Sequence, residues 1–217
     1  MTQQLQPQPQ PPLSPEAFCE STGVSRETLH ALQAYEALLK RWQARINLVG
    51  PKTVSDIWRR HFLDSAQIAP LLPEFAATLV DIGSGAGFPG LVVALMRPDL
   101  QVHLVDSDQR KATFLREAVR TLDLKGRVTV HAKRTDQIEG LCADVITARA
   151  LAPLSSLLEH SVRFSGPDTV CLFLKGKRFQ EELTDANYTW YINSSWIQSV
   201  TDPDGQTLRI TEFSKKN

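Results

Sequence analysis

The chain has 217 residues, 42% of them hydrophobic, and its 24 Lys and Arg balance 24 Asp and Glu. That length suits one domain with a small appendage, no apolar run approaches the roughly 18 residues of a membrane-spanning helix, and a net charge of zero argues against bulk attraction to nucleic acid or membrane. Three scattered cysteines (Cys19, Cys142, Cys171) and five dispersed histidines offer no metal-ligand spacing, so no metal site is expected.

Residues 1–13 are Gln- and Pro-rich and almost uncharged. They lack the apolar core of a signal peptide and the Arg enrichment of a transit peptide, and read as a disordered tail on a cytoplasmic protein. Two cysteines lie in apolar, strand-like runs and read as reduced core residues. Residues 14–75 read as a helical extension. Leu29, Leu32, Leu38, Leu39, Trp42 and Ile46 recur at helical spacing from Ser25, a plausible N-cap. Pro51 breaks that pattern. A second helix is expected from about Val54 to Leu72, where Pro73 ends it.

From residue 76 to 217 strands and helices alternate. Strands are expected at Thr78–Ile82, Val102–Val105, Val128–Ala132, Asp144–Thr147 and Thr169–Leu174. Helices fit between them at about Gly90–Arg97, Gln109–Leu122 and Leu154–Phe164. This alternation predicts an α/β fold with a mostly parallel, doubly wound sheet. Residues 189–213, around the turn Asp202-Pro203-Asp204-Gly205, predict an antiparallel edge hairpin.

The first of these strands runs into the densest signal in the chain, Asp81-Ile82-Gly83-Ser84-Gly85-Ala86-Gly87-Phe88-Pro89-Gly90. A strand, a Gly-rich turn and a helix in succession let a nucleotide-like ligand approach the backbone and the free N–H groups of the helix start. Gly85-x-Gly87-x-x-Gly90 satisfies the dinucleotide fingerprint. However, Asp81 would crowd a pyrophosphate with like charge, Gly83 already makes the turn, and Pro89 removes a donor. S-adenosylmethionine, whose methionine end carries two positive groups, fits the acid better. Asp106 ends the next strand and is placed to accept from ribose hydroxyls. Thr135 and Asp136 follow the third strand, where the adenine would lie. Arg149 ends the fourth strand at the junction of cofactor and substrate, or pairs with an acid there.

From Gln109 to Arg134 there are eight Lys and Arg against two acids, and Lys175, Lys177 and Arg178 form a second basic cluster. Either these are solvated helix faces or they track phosphates beside the cofactor. Arg110, Lys111, Lys175, Lys177 and Arg178 are the candidate phosphate contacts.

Trp42 with Ile46-Asn47-Leu48, His61-Phe62-Leu63-Asp64-Ser65, the Gly-rich stretch, Asp106, Arg110-Lys111 with Phe114-Leu115, Arg149-Ala150 and Lys175-Gly176 occur in that order. Over about residues 36–178 this set resembles the glucose-inhibited division protein B family, the bacterial 16S ribosomal RNA guanine-N7 methyltransferases. The resemblance implies a class I S-adenosylmethionine-dependent methyltransferase fold of seven strands with an N-terminal helical extension. It implies methyl transfer to N7 of one guanosine of 16S ribosomal RNA, naked or in the small subunit, with S-adenosylhomocysteine as product. Cofactor contacts carry over onto Gly83, Phe88, Thr135, Asp136 and Arg149, to which the local reading adds Asp81, Gly85 and Asp106. The family usually has Glu where this chain has Asp136, so that contact would need a bridging water.

Guanine N7 carries a lone pair and no proton, so no general base is required, and Arg149 would position substrate or cofactor. His61 and Asp64 share a helix face and either line the pocket or fasten the helix. No membrane or obligate protein partner is evident. Competing readings are a methyltransferase of a small molecule or protein, an NAD-dependent oxidoreductase, and a non-catalytic RNA-binding protein on the same fold.

Overall fold

The computed structural model describes residues 11–216. Most of the expected Gln/Pro tail lies outside the described residues. At the described end, Arg59 Nη2 donates to the Pro11 carbonyl (2.7 Å) and the Leu13 N–H donates to Asp56 (2.8 Å).

Helix α1 spans Pro15–Thr22. The Ser14 side chain caps its start and left-handed Gly23 (φ 67°) closes it. Helix α2 spans Arg26–Gln43, with the Ser25 side chain accepting from the Thr28 N–H. Its apolar stripe buries Leu32, Tyr35, Leu38 and Leu39.

The expected helix from 54 to 72 is not continuous. A tight 3-10 stretch (Pro51–Asp56) passes into a widened π turn (Trp58–Leu63), one α turn (α3, Asp64–Ala66) and another 3-10 turn (Ala69–Leu71). Pro51 and Pro70 cannot donate to a regular ladder. The widened turn buries Trp58, His61 and Phe62 together, and such turns recur at functional sites.

The remaining elements are β1 (Thr78–Ile82), α4 (Gly90–Met96), β2 (Gln101–Val105), α5 (Gln109–Thr121), β3 (Val128–His131), β4 (Ala143–Arg149), α6 (Leu154–Val162), β5 (Ser165–Lys175), α7 (Phe179–Thr189), β6 (Trp190–Gln198) and β7 (Gln206–Lys215). The seven strands form one sheet in the order β3-β2-β1-β4-β5-β7-β6. The first five are parallel; β7 runs antiparallel to β5, and β6 to β7. Between β3 and β4 there is only a turn at Thr135–Gln137, with no full helix.

One core lies between the sheet and the layer of α4, α5 and the N-terminal helices, and Phe18, Tyr35 and Phe62 of the extension pack in it with Leu79, Leu104 and Val145 of the strands. The opposite face is covered by α6 and α7 through Leu154, Leu158, Phe179 and Ala186. Among the cysteines only Cys171 is buried; Cys142 is exposed and Cys19 half-buried. The expectation of two core cysteines is therefore corrected, because Cys142 precedes β4 instead of lying within it.

Candidate functional site

Strand order reverses on either side of β1, and such a reversal opens a crevice beyond the carboxyl ends of the strands. Register places three expected residues at its mouth. Ile82 pairs with Val105 of β2 and with Ala148 of β4. Gly83, Asp106 and Arg149 therefore leave their strands at one level. They line a cleft of about 800 Å³, together with Gly85, Phe88, Thr135, His61, Asp64 and the Ser199–Gln206 turn of the hairpin.

The Gly-rich turn owes its shape to two demands. Gly83 has φ +67°, and a Cβ there would meet the Leu151 side chain at 2.5 Å. Gly90 lets α4 press onto the sheet: a Cβ there would lie 2.5 Å from Leu104 and 2.9 Å from Asp81. The loop is held from behind by the extension. The buried Tyr35 hydroxyl of α2 donates to the Ala86 carbonyl, and its ring stacks on Phe88 with centroids 5.3 Å apart.

Asp81 was expected to touch the cofactor; the structure places it elsewhere. The carboxylate is fully buried behind the loop, accepting from Thr147 Oγ1 (2.8 Å) and the Gly90 N–H (3.3 Å). It does not line the cleft. Burial raises its pKa to about 6 against hydrogen bonds that lower it. Asp81 is a strand residue whose side chain points to the α4 face, where it holds the Gly90 end of the loop backbone from behind.

Asp106 does reach the cleft. Its Oδ2 accepts from the Gly85 N–H and its Oδ1 from the Asp108 N–H, both at 2.8 Å. Each oxygen keeps an acceptor site. Asp108, not Asp106, caps α5. Thr135 lines the cleft and shares a hydrogen bond with His160 Nδ1 (2.9 Å). Asp136 does not line it: the side chain is exposed, 3.6 Å from Arg134 Nε. In the short turn after β3 only Thr135 faces inward, and the carboxylate of Asp136 turns to solvent.

Of the basic candidates, Lys111 lines the cleft, Arg110 is exposed 3.7 Å from Asp108, and Lys177 is exposed. Arg178 is exposed and paired with Glu181 at 3.0 Å. Lys175 lines the cleft but is committed elsewhere. Its side chain is only 7% exposed, paired with Glu182 (2.5 Å) and donating to the Ala152 carbonyl (3.0 Å). Glu182 also accepts from the Leu154 N–H at the start of α6 (3.0 Å). Lys175 thus fastens the loop after β4 and is corrected from a phosphate contact to a structural one. Lys133, Arg134 and Arg60 line the cleft without having been singled out.

Arg149 makes three hydrogen bonds at the mouth. Nη1 donates to Asp64 Oδ2 and to the Arg60 carbonyl, both at 3.1 Å, and Nη2 donates to His61 Nδ1 at 2.8 Å. The guanidinium lies 5.0 Å from the Phe88 ring centroid, and His61 stacks on the same ring at 5.1 Å. His61 Nε2 meets Thr53 Oγ1 at 2.7 Å. Burial, with Arg149 and Arg60 nearby, holds the His61 pKa down at about 3. Asp64 also accepts from Thr201 Oγ1 (2.8 Å) of the hairpin turn. His61 and Asp64 therefore line the pocket and fasten it together.

Sequence reading missed Tyr35 and Thr53. Tyr35 carries a signal, since it lies in the apolar stripe between Leu32 and Leu38. Thr53 carries none.

The rRNA small subunit methyltransferase G (GidB) family model matches residues 28–209. The ribosomal RNA small subunit methyltransferase G of Paramagnetospirillum magneticum is 52% identical, over 94% of this chain and 98% of the relative. Among solved structures, a SAM-dependent methyltransferase from Aquifex aeolicus superposes with a TM-score of 0.57 at 16% identity, over 81% of this chain and 97% of that one. M. jannaschii TYW2 in complex with AdoMet gives 0.56 at 14% identity, over 80% of each chain. The structural likenesses speak to the fold, and the family match to descent.

Proposed function

The chain belongs to the rRNA small subunit methyltransferase G family, and on that premise we propose that it transfers a methyl group from S-adenosylmethionine to N7 of a specific guanosine in 16S ribosomal RNA. The observation that carries this reading is the convergence of Gly83, Asp106 and Arg149 on one cleft at the strand-order reversal.

The residues present fit that cofactor. The cleft falls in the range that encloses such ligands. The bare backbone at Gly85, where an added Cβ would meet nothing nearer than the Gly83 carbonyl at 3.8 Å, admits a ligand where a side chain would stand, the two open acceptor sites of Asp106 suit a pair of ribose hydroxyls, and Thr135 borders the adenine end. Arg149 still has donors to offer a carboxylate. Bound S-adenosylmethionine supplies an activated methyl on a cationic sulfur.

The protein's task is then alignment. Phe88 and Arg149 form one wall of the reacting end. The N7 lone pair is in-plane and unprotonated, so the protein has no proton to remove. His61 agrees with this: its low pKa and its bond from Arg149 leave it unsuited to act as a base. In an RNA helix N7 lies in a deep, narrow groove, so the target base must be splayed or in a loop. Lys111, Arg110 and Lys177, with Lys133, Arg134 and Arg60, are the phosphate contacts this reading favours, and binding should weaken with salt. The same reading places the protein in the cytoplasm with the small ribosomal subunit or its RNA; among the described residues no helix is long and apolar enough to cross a membrane.

Mapping methylated guanosines in ribosomal RNA from cells lacking the protein tests the assignment. One N7-methylguanosine of the small subunit is expected to disappear; an unchanged map overturns it. Thermal stabilisation by S-adenosylhomocysteine and not by NADH separates this reading from an oxidoreductase.

A further inference from the structure

A chain of three hydrogen bonds runs from the backbone of the extension to Arg149, and each has only one permissible direction. The Gly50 carbonyl can only accept, so the Thr53 hydroxyl at 2.7 Å donates to it. With its hydrogen committed there, Thr53 Oγ1 accepts from His61 Nε2 at 2.7 Å. Nε2 therefore carries the ring proton. The second nitrogen, Nδ1, faces a guanidinium that can only donate, at 2.8 Å, and must be bare. A protonated His61 would set donor against donor at this contact. The ring is only 7% exposed, with Arg149 and Arg60 beside it, and among the described residues no carboxylate is bonded to it; Asp64 is taken by Arg149, Thr201 and Gln67.

We propose that Thr53 and His61 are positioning residues: the Gly50–Thr53–His61 relay locks His61 in its Nε2–H tautomer and thereby fixes which guanidinium hydrogens of Arg149 are left to face the cleft. The inference rests on the methyltransferase reading for what Arg149 then holds. Its geometry does not depend on that reading. It also assigns a task to the irregular windings between Pro51 and Leu63, which bring Thr53 and His61 to the two sides of one hydrogen bond where a regular helix places residues eight apart more than two turns from each other.

The test uses the full-length protein and two readouts. Nitrogen-15 NMR of the imidazoles, with His61→Asn assigning the signal, is expected to show His61 neutral, protonated on Nε2, from pH 5 to pH 8. S-adenosylhomocysteine binding and methylation kinetics are then measured for Thr53→Val and Thr53→Ser. Thr53→Val is expected to weaken binding or turnover about tenfold, the scale of one mis-set buried hydrogen bond, and to mix the His61 tautomers. Thr53→Ser is expected to restore both. His61 protonated on Nδ1 or cationic in the wild-type protein overturns the proposal even if Thr53→Val fails to fold. So does Thr53→Val binding and turning over like wild type. Failure of the wild-type protein to bind S-adenosylhomocysteine is a different result, since it sinks the methyltransferase reading and leaves the tautomer measurement standing.

Discussion

The two ends of the cleft are built differently. At the β1–β4 end, Arg149 is bound to Asp64, His61 and the Arg60 carbonyl and lies on Phe88. At the β2–β3 end, Lys133 and Arg134 are exposed, Asp136 turns outward, and no helix follows Thr135–Gln137. The first end is pre-organised, since its geometry is settled by the protein alone. At the second end Asp106, Asp108 and Thr135 are tied down by hydrogen bonds, while the exposed Lys133 and Arg134 leave a ligand there to meet adaptable side chains. The contrast suits a reaction that demands alignment at the transferring carbon and only grip elsewhere.

The sharpest way to break this contrast is Arg149→Lys. One ammonium cannot reach Asp64, His61 and the Arg60 carbonyl and also lie flat on Phe88. Methylation efficiency (kcat/KM) is expected to fall about 100-fold, with little loss of melting temperature; an activity within a few-fold of wild type would mean that this end is not pre-organised through Arg149.

Asp81→Asn probes the support behind the loop. The folded-state pKa of about 6 stands above the ordinary 3.8. Between those values the folded protein holds the proton more tightly than the unfolded chain. The carboxyl's contribution is thus greatest below about pH 4 and is lost as pH rises through 6. Asn keeps an acceptor for Gly90, and the Thr147 hydroxyl can turn to accept. Urea unfolding is expected to show the variant about 1–3 kcal/mol more stable than wild type at pH 8, with the difference vanishing at pH 4.

Asp106→Asn acts at the join between the two ends. An amide must aim N–H at either the Gly85 or the Asp108 N–H, and about a tenfold loss of S-adenosylhomocysteine affinity by calorimetry is expected. Asp136→Ala is the smallest change. Its exposed side chain predicts an effect below about twofold on affinity and within about 0.5 kcal/mol on stability; a tenfold loss of affinity would show that the β3 turn closes around the adenine.

What the sequence made legible follows from range. Gly83, Asp106 and Arg149 each directly follow or end a strand-like run, and a doubly wound sheet gathers such positions by construction. β1 was placed end to end because its apolar run stops at a glycine. Helix α7 was not anticipated, and α1 only as an undivided part of the helical extension from 14 to 75. Respectively they bury only Phe179 with Ala186, and Phe18, which leaves periodicity little to register. The windings between 51 and 71 look like one amphipathic helix because their apolar spacing is nearly right, while the irregularity comes from tertiary packing. The misplaced side chains have partners no local pattern announces. Lys175 is taken by Glu182 on the next helix, Asp81 by Thr147 on a neighbouring strand, and Tyr35 by a carbonyl 51 residues away.

That last bond has a consequence for synthesis. Helix α2 leaves the ribosome before the loop that its Tyr35 secures. Within its stripe of Leu32, Tyr35, Leu38 and Leu39, the Tyr35 ring packs against Phe62, Phe88 and Phe114, all downstream. The N-terminal helices therefore cannot finish folding as an early, separate unit, and the nascent chain carries an uncovered apolar face until α5 has emerged. A stall in translation between α2 and α5 would expose this protein to chaperones and proteases more than a stall after it.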